Sequence, residues 1–425
     1  MISRRLKFDV SNRFAVNAGS AGPLPLCFAL VIVALAFQSA NANFLTARNL
    51  SNLCLQLTAP GILTLAVMLV LLVGEIDLSI GAVSGLCASV LAVGHAHLGL
   101  SAAASILAAL LVGLMIGLAQ GAVVVFLRAP SFIVTLSGLL VWVGAHHILL
   151  GEKIGEIEID DPTLRAIASA FLPSWLTGLL IVILGAAAVL HVVAAEPRFG
   201  LSAAKLRALR RAAVYLLIAV VAAVVLEKHQ GTPFLLVLLI ALAVASTIVT
   251  EHTPLGVHIL AIGGNAESAR RAGVNVVGVR IAMFITCSTL AAIAGIVLAS
   301  RQLAVDATTG GGTLTLDAIA AAVIGGTSLF GGRGRAVGAI LGVVVVASVE
   351  NGLDLLGLSG DVKSVATGLM LFSAVCLDTL LQRRRGASAW PQLHAGGADE
   401  RVDSCVDRSM GEECELAPKR EADSQ

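Results

Sequence analysis

Charged residues are scarce in this chain of 425 residues, making up 13% of it against about 25% in a soluble globular domain. The deficit recurs along most of the length in apolar stretches of about 15–25 residues, long enough as helices to cross a hydrocarbon core roughly 30 Å thick. Also lacking are the alternating segments of about ten residues that mark a transmembrane barrel. The composition therefore excludes a soluble domain and favours membrane-spanning helices, whose backbone polar groups pair internally.

Motifs for metal binding and nucleotide hydrolysis are also lacking. The seven cysteines show no CxxC or Cys/His spacing, so neither a disulfide framework nor a zinc site is predicted. No GxxxxGK[ST] motif is present, so the chain carries no P-loop of its own. We find no clustered nucleophile and base either, and predict that the chain is not an enzyme and takes no cofactor or metal. The net charge of +1 says nothing about partners, and no nucleic-acid partner is expected.

The apolar runs number about twelve, of which 212–226 and 316–330 are short. They predict an all-α polytopic transmembrane bundle of about ten to twelve spans. Basic loops alternate with non-basic ones, as the positive-inside rule requires, which places both termini in the cytoplasm and the acidic loop 152–161 outside. The predicted division is a cytoplasmic segment 1–22, a transmembrane domain 23–382 and a cytoplasmic, disordered tail 383–425.

The first apolar run, from about Leu24 to Phe37, has two interpretations. A basic flank precedes it and Ala40-Asn41-Ala42 follows it, an order that resembles a cleaved signal peptide. The alternative is a retained first span, with the basic flank setting its orientation. We favour the retained span because many further spans follow.

The segment GEIDLSIG at 74–81 places two carboxylates between apolar runs. Ionisable groups at membrane depth are costly and usually face a bundle interior or a water-filled cavity. Gly74 and Gly81 flank the carboxylates of Glu75 and Asp77, so a broken helix is one interpretation, and a solvated cytoplasmic turn is the other. On a regular helix the two carboxylates point in different directions. We expect Asp77 to cap the following helix and Glu75, with the longer side chain, to face the pathway.

The stretch 263–280, GGNAESARRAGVNVVGVR, is the longest polar segment between the later spans. Asn265 is a predicted N-cap and Gly273 a C-cap of a short helix. Glu267 lies near the positive end of this helix, and Arg270 and Arg271 lie near the negative end. We interpret it as a docking site for a soluble partner, the alternative being an ordinary connector.

The stretch 316–335, LDAIAAAVIGGTSLFGGRGR, begins with Asp317 and ends in a glycine-rich part. Asp317, Thr327 and Ser328 either line a polar path or belong to a turn and a helix N-terminus. Glycines recur every fourth residue in two places, a spacing that lets two helix backbones approach closely; these ladders are Gly113, Gly117 and Gly121, and Gly334, Gly338 and Gly342.

Four motifs in their order and spacing resemble the permease subunits of ABC importers for ribose, xylose and related monosaccharides. They are GEIDLSIGAVSG (74–85), PSFIVTLSGLLVW (130–142), LAIGGNAESARRAGVNV (260–276) and LDAIAAAVIGGTSLFGGRG (316–334). The resemblance covers roughly residues 55–382 and is greatest to the xylose-type branch, in which Glu75 precedes IDLS and an extra stretch lies at about 155–230. It implies a permease pair, a cytoplasmic ATPase pair and a periplasmic sugar-binding protein, in the inner membrane and surrounded by lipid.

The resemblance implies alternating access, with the sugar passing between the two permease copies. A neutral sugar needs hydrogen-bond donors and acceptors along its path; the candidates are Glu75, Asp77, Ser79, Asp317, Thr327 and Ser328. The stretch from Asn265 to Gly273 is then the expected contact with the ATPase. The rival function is an ion-coupled secondary transporter, in which Glu75, Asp77 or Asp317 relays protons.

Overall fold

The structure is a computed structural model that describes residues 24–151, 155–194, 213, 216–217 and 219–389. Helices dominate the described part. In the first half of the chain they are α1 (Leu24–Ala40), α2 (Ala47–Gln56), α3 (Thr58–Leu72), α4 (Ile80–Ala96), α5 (Ala102–Phe126), α6 (Ser131–Leu150), α7 (Pro162–Ser169) and α8 (Ser174–Ala194). In the second half they are α9 (Phe234–His252), α10 (Pro254–Gly264), α11 (Ala266–Arg271), α12 (Val276–Gln302), α13 (Leu314–Ile324), α14 (Ala336–Leu355) and α15 (Gly360–Ala389).

Two small antiparallel sheets join loops that are distant in sequence, an addition to the predicted all-α bundle. Strand β1 (Glu156–Glu158) pairs with β4 (Ala304–Asp306), with Ile157 opposite Val305. Strand β2 (Phe171–Leu172) pairs with β3 (Thr232–Pro233). The first sheet brings the described part of the acidic loop against the end of α12.

Within the described part of the chain, five helices are long and apolar enough to cross a membrane: α5, α6, α9, α12 and α14. The bent pair α2 and α3, which meet at 42°, passes the same test together. Shorter apolar helices are found within α8 and in α1, α4, α10 and α13. The chain is therefore a polytopic helical membrane protein, as predicted, while the count of about ten to twelve spans stays a prediction.

Helix α12 lies at the centre of the bundle, where it packs against α3, α4 and α5. Helix α13 packs against α14 and α3. Because α13 has 11 residues, it rises only about 16 Å, half the thickness of the hydrocarbon core. The apolar run at 316–330 therefore does not cross the membrane as one helix. The other short run, 212–226, is only partly described, and its described residues are helical.

The division into domains stays a prediction, and the structure describes only part of it. Helix α1 packs along α14, where the Asn41 side chain donates to the Leu355 carbonyl at 2.9 Å. The chain divides into the compact units Met1–Ala374 and Val375–Gln425. In the second unit, α15 continues to Ala389, past the expected start of the tail at 383. The N-terminal segment 1–22 and residues 390–425 lie outside the described residues.

Candidate functional site

A non-helical segment between α3 and α4 is enclosed by the bundle. Helix α3 ends at Leu72, Gly74 has a positive φ of 79°, and α4 begins only at Ile80. Glu75, Asp77 and Ser79 are 8%, 4% and 0% exposed. The helix is therefore broken here, and burial of both carboxylates does not fit a solvated cytoplasmic turn.

Two hydroxyl groups of α6 bind the backbone of this broken segment. Ser131 Oγ accepts a hydrogen bond from the Ile76 N–H at 3.2 Å. Thr135 Oγ1 accepts one from the Leu78 N–H at 3.2 Å, and its single proton is directed at the carbonyls of Ser131 at 2.9 Å and of Ile76 at 3.2 Å. Buried backbone groups that leave a helix must find such partners. The PSFIVTL motif therefore stabilises the break from a neighbouring helix.

Contacts with α12 give the depth of the segment in the bundle. Glu75 lies beside Arg280, in the first turns of α12, and Asp77 lies beside Cys287. At 1.5 Å per residue, these positions are about 6 Å and 16 Å from the start of a helix about 40 Å long. Asp77 is therefore near mid-depth, while Glu75 is near the end of the bundle that carries α11.

Asp77 belongs to a buried polar network. Its Oδ1 accepts hydrogen bonds from the Ser79 backbone N–H at 2.8 Å and from the Ser79 hydroxyl at 2.7 Å. The Gln120 amide of α5 donates to the same hydroxyl at 2.9 Å, and Cys287 Sγ lies 3.8 Å from Asp77 Oδ2. Each buried polar group in the network gains a partner, which offsets the cost of removing it from water.

Asp77 does not cap α4 in the predicted way. The N-cap position belongs to Ser79, and its side chain makes no capping bond. Asp77 binds the N–H of Ser79 itself, one residue before the helix, because the chain turns into α4 later than expected. Thr315 Oγ1 of α13 accepts the N–H of Gly81 instead, at 3.1 Å.

Glu75 forms an ion pair that sequence reasoning did not assign. Arg280 Nε lies 3.0 Å from Glu75 Oε1, with side-chain exposures of 30% and 10%. The Nε–H makes no hydrogen bond, so the contact is an ion pair rather than a hydrogen-bonded bridge. The nearby positive charge of Arg280 compensates the buried carboxylate of Glu75.

Thr327 and Ser328 lie in a glycine-rich loop that closes over the end of α3. Both are buried, at 1% and 3% exposure. The Ser328 N–H donates to the Arg333 carbonyl, and the Gly332 N–H donates to the Leu72 carbonyl at 3.0 Å. Thr327 Oγ1 is buried without a hydrogen-bond partner.

Asp317 lies in the first turn of α13 and is 7% exposed. Its Oδ2 accepts from the Thr313 hydroxyl at 2.7 Å, and the buried Thr367 hydroxyl of α15 also lies beside the carboxylate. Among the described residues, no side-chain hydrogen bond joins Asp317 to the Asp77 network or to Thr327. The six predicted pathway residues therefore occupy three separate places in one chain.

Helix α11 has the caps predicted for it and is exposed. Asn265 Oδ1 accepts the Ser268 N–H at 2.9 Å. Gly273 has φ +85°, its N–H donates to the Arg270 carbonyl, and the next N–H donates to the Ala269 carbonyl, which is the Schellman pattern.

Charged side chains cover the surface of this helix. Glu267 pairs with Arg270 and Arg271 at 2.5 and 3.1 Å, and both arginines are more than two-thirds exposed. A short, capped, charged helix outside the bundle is available to a soluble partner.

The glycine ladders mark close helix contacts, with one difference from the prediction. A Cβ at Gly117 would lie 2.5 Å from the Phe284 carbonyl of α12, and Gly113 and Gly121 meet the same helix. Gly342 meets α13 at the Ala321 carbonyl, and Gly338 meets Gly325, the C-cap residue of that helix. Gly334 precedes α14 and instead faces the side chains of Thr327 and Leu72.

Two histidines of α6 bind the loop after β4 at the opposite end of α12 from α11. His146 Nε2 lies 3.1 Å from the Asp306 carbonyl, and its Nδ1 lies 2.6 Å from Ser89 Oγ. His147 Nε2 lies 3.3 Å from the Ala307 carbonyl. The pair therefore holds two successive carbonyl groups beside the β1–β4 sheet.

Sequence reasoning missed several of these partners. Gln120 is the only amide in the 25 residues of α5, and that isolation is a signal that could have identified it. Ser131 and Thr135 are spaced by four residues, which puts both hydroxyls on one face of α6. Arg280 had no local signal, because its partner is distant in sequence.

Comparison with known proteins gives matches over most of the chain. Residues 49–375 match the family described as "Branched-chain amino acid transport system / permease component". The xylose transport system permease protein XylH of Escherichia coli strain K12 is 35% identical over 84% of this chain and 91% of its own length. XylH of Haemophilus influenzae is 33% identical over 82% and 93%.

The ribose import permease protein RbsC of E. coli K12 is 28% identical over 83% of this chain and 92% of its own length. No solved structure matches the chain. The family match covers well over half of the chain, and relatives above 30% identity cover more than four fifths of it. The chain therefore belongs to this family of multi-pass inner-membrane transport permeases, among the xylose- and ribose-type members.

Proposed function

We propose that this chain is the membrane-spanning permease subunit of an ABC importer that carries a monosaccharide of the xylose type across the inner membrane. The observation that carries the proposal is the likeness to XylH over nearly the whole of both chains. The exposed, capped helix α11 agrees with it, because an importer needs a surface on which a separate ATPase can act.

We assign the proposed soluble partners to the two ends of α12. We assign the ATPase subunit to the α11 end, with the docking residues Asn265, Glu267, Arg270, Arg271 and Gly273. The periplasmic sugar-binding protein is assigned to the opposite end, around the β1–β4 sheet and α7. A second copy of the permease and the surrounding lipid are assigned to the exposed apolar faces, which include Phe28, Ile148 and Phe372.

Pathway roles are best supported where a polar atom has no partner. Among the described residues, Thr327 Oγ1 meets this condition and is assigned to hydrogen-bond a sugar hydroxyl during transport. Asp317, whose carboxylate has the Thr313 and Thr367 hydroxyls beside it, keeps the pathway role proposed from the sequence. Asp77 and Ser79 use their polar atoms on each other, so we assign them to holding the broken segment. Asp317→Asn and Thr327→Val are expected to weaken the apparent affinity for sugar while assembly of the complex persists.

Reconstitution tests the function. Proteoliposomes containing the permease and its ATPase, with the binding protein outside and ATP inside, are expected to accumulate labelled xylose. Accumulation should require ATP and persist in the presence of a protonophore. Uptake that needs no ATPase and collapses with the protonophore would establish the rival ion-coupled transporter. ATP-driven uptake of ribose but not xylose would correct the substrate and leave the class intact.

Photo-cross-linking tests the docking surface. A benzoylphenylalanine in place of the exposed Ser268 is expected to cross-link to the ATPase. The matched control is the exposed Ser169 of α7, at the other end of the bundle, which should give no such product. Cross-linking to the ATPase from Ser169 but not from Ser268 would show that the ATPase binds at the α7 end and that our assignment is wrong.

A further inference from the structure

Helix α11 is connected on both of its sides to the same short stretch of chain, Leu72–Glu75. On the N-terminal side, Gly263 of α10 packs against α3 so closely that a Cβ would lie 1.9 Å from the Leu72 carbonyl oxygen. On the C-terminal side, Arg280 of α12 pairs with Glu75 at 3.0 Å. A displacement of α11 therefore reaches this stretch through two contacts.

The glycine-rich loop after α13 makes a third contact with the stretch. The Gly332 N–H donates to the Leu72 carbonyl at 3.0 Å. A Cβ at Gly331 would lie 2.9 Å from the Gly74 Cα and 2.8 Å from the Gly263 carbonyl oxygen. Backbone thus meets backbone, with no flexible side chain between. Close-packed contacts of this kind transmit a displacement rather than absorb it.

The stretch continues directly into the buried segment. Glu75 is followed by Ile76, Asp77 and Leu78, whose polar groups bind α6 and Ser79. This segment reaches mid-depth beside α12, as derived above. The contacts therefore form a continuous route from the exposed α11 to the centre of the bundle.

The ion pair is the only charged contact on this route among the described residues. Glu267, Arg270 and Arg271 of α11 pair with one another and stay exposed. The Glu75 side chain is 10% exposed, so its carboxylate depends on Arg280 far more than a surface pair depends on its partner.

We propose that the Glu75–Arg280 ion pair is the coupling link that transmits movement of the ATPase-docking helix to the buried segment 75–79. Glu75 is then a positioning residue, not a group that contacts sugar. The inference rests on the proposed function and adds a role to it.

The test measures uptake and ATP hydrolysis in the same proteoliposomes with Glu75→Gln, Arg280→Gln, Arg280→Glu and the exchange Glu75→Arg/Arg280→Glu. Each single variant is expected to hydrolyse ATP in an assembled complex and to move at least tenfold less xylose per ATP. The exchange is expected to recover a substantial part of that ratio, because it restores opposite charges at the same place.

Glu251→Gln provides the matched control. Glu251 pairs with Arg335 at 2.8 Å at the same end of the bundle, but the pair is more exposed, at 26% and 66%, and does not involve the Leu72–Glu75 stretch. The ratio of xylose moved to ATP hydrolysed is expected to stay at the wild-type value in this variant.

Several results would overturn the inference. One is an unchanged ratio in the single variants, and another is a shift only in the apparent affinity for xylose, which would make Glu75 a pathway group. If the single variants fail to assemble, the exchange decides. If the exchange variant both assembles and couples ATP hydrolysis to transport, the link is supported. If it assembles without coupling, or does not assemble, the pair has a structural role only. Absence of ATP-driven uptake in the wild type would instead contradict the proposed function.

Discussion

The substitution Thr135→Val probes the buried break between α3 and α4 with almost no change in side-chain shape. Thr135 Oγ1 accepts the Leu78 N–H, and its proton is directed at the Ser131 and Ile76 carbonyls. Valine replaces the hydroxyl by a methyl group and leaves the Leu78 N–H without that acceptor. The Thr135 side chain is 0% exposed and Leu78 is partly buried, so water has restricted access to the lost bond.

The expected magnitude follows from the orphaned backbone group. Leaving one buried donor unsatisfied costs about 1–3 kcal/mol, which lowers the ratio of folded to unfolded protein roughly 5- to 150-fold. We expect the free energy of unfolding to fall by this amount. The measurement is reversible unfolding of the purified permease in mixed micelles as the fraction of denaturing detergent rises.

Two further variants on α6 make the measurement specific. Thr135→Ser keeps the hydroxyl and should recover most of the loss. Ser137→Ala removes an exposed hydroxyl that donates only to the Ile133 carbonyl within α6, and should change the unfolding free energy by less than about 0.5 kcal/mol. If Thr135→Val is as stable as Ser137→Ala, the hydroxyls of α6 do not support the broken segment.

Three other substitutions test separate parts of the structure. Gly117→Ala puts a Cβ against the α12 backbone and should cost about 1–3 kcal/mol in detergent unfolding, whereas Gly144→Ala, with nothing within 4 Å, should be neutral or slightly stabilising; equal effects would refute tight packing of α5 on α12. The hydrogen bond from the Leu164 N–H, with others at the start of α7, holds the pKa of Asp161 below its ordinary 3.8. The contribution of the Asp161 carboxylate to stability is therefore present above pH 3.8 and lost as pH falls through the lower folded-state pKa. Asp161→Ala should speed proteolysis around α7 at neutral pH. A difference between variant and wild type that persisted unchanged at the most acid pH would contradict this. His146→Phe keeps a ring but loses both hydrogen bonds and should lower the unfolding free energy by about 1–3 kcal/mol, with a wild-type value showing that the loop after β4 is held by other contacts.

The elements that sequence predicted best are those defined by local signals. Apolar length predicts where helices lie, and the caps of α11 were readable because Asn265 and Gly273 are within a few residues of the groups they bind. Helix α15 extends through the arginines after Gln382 to Ala389, since arginine is a good helix former; the start of the cytoplasmic tail stays a prediction.

Only part of the candidate site could be predicted, because the sequence shows local signals and not contacts between distant residues. Sequence alone placed two carboxylates beside glycines and left two interpretations open, a broken helix and a solvated turn; the burial of Glu75 and Asp77 in the structure favours the broken helix. Sequence predicted Asp77 as the N-cap of α4, whereas in the structure the N-cap residue is Ser79. The residue at which a helix resumes depends on the neighbouring backbone, which the sequence does not show. Gln120 was visible as an isolated amide, but its target on Ser79 was not.

By itself, then, the sequence determined the class of protein, the positions of most helices, the short capped helix α11 and the family. Hydropathy, capping and motif spacing act over one to a few helical turns or across one span, so each can be recognised in a short stretch of sequence. The tertiary structure alone decided the partner of each polar group, pairing Glu75 with Arg280 and the segment 76–78 with Ser131 and Thr135. Those pairings join residues far apart in the chain, and close packing of the helices determines which of them meet.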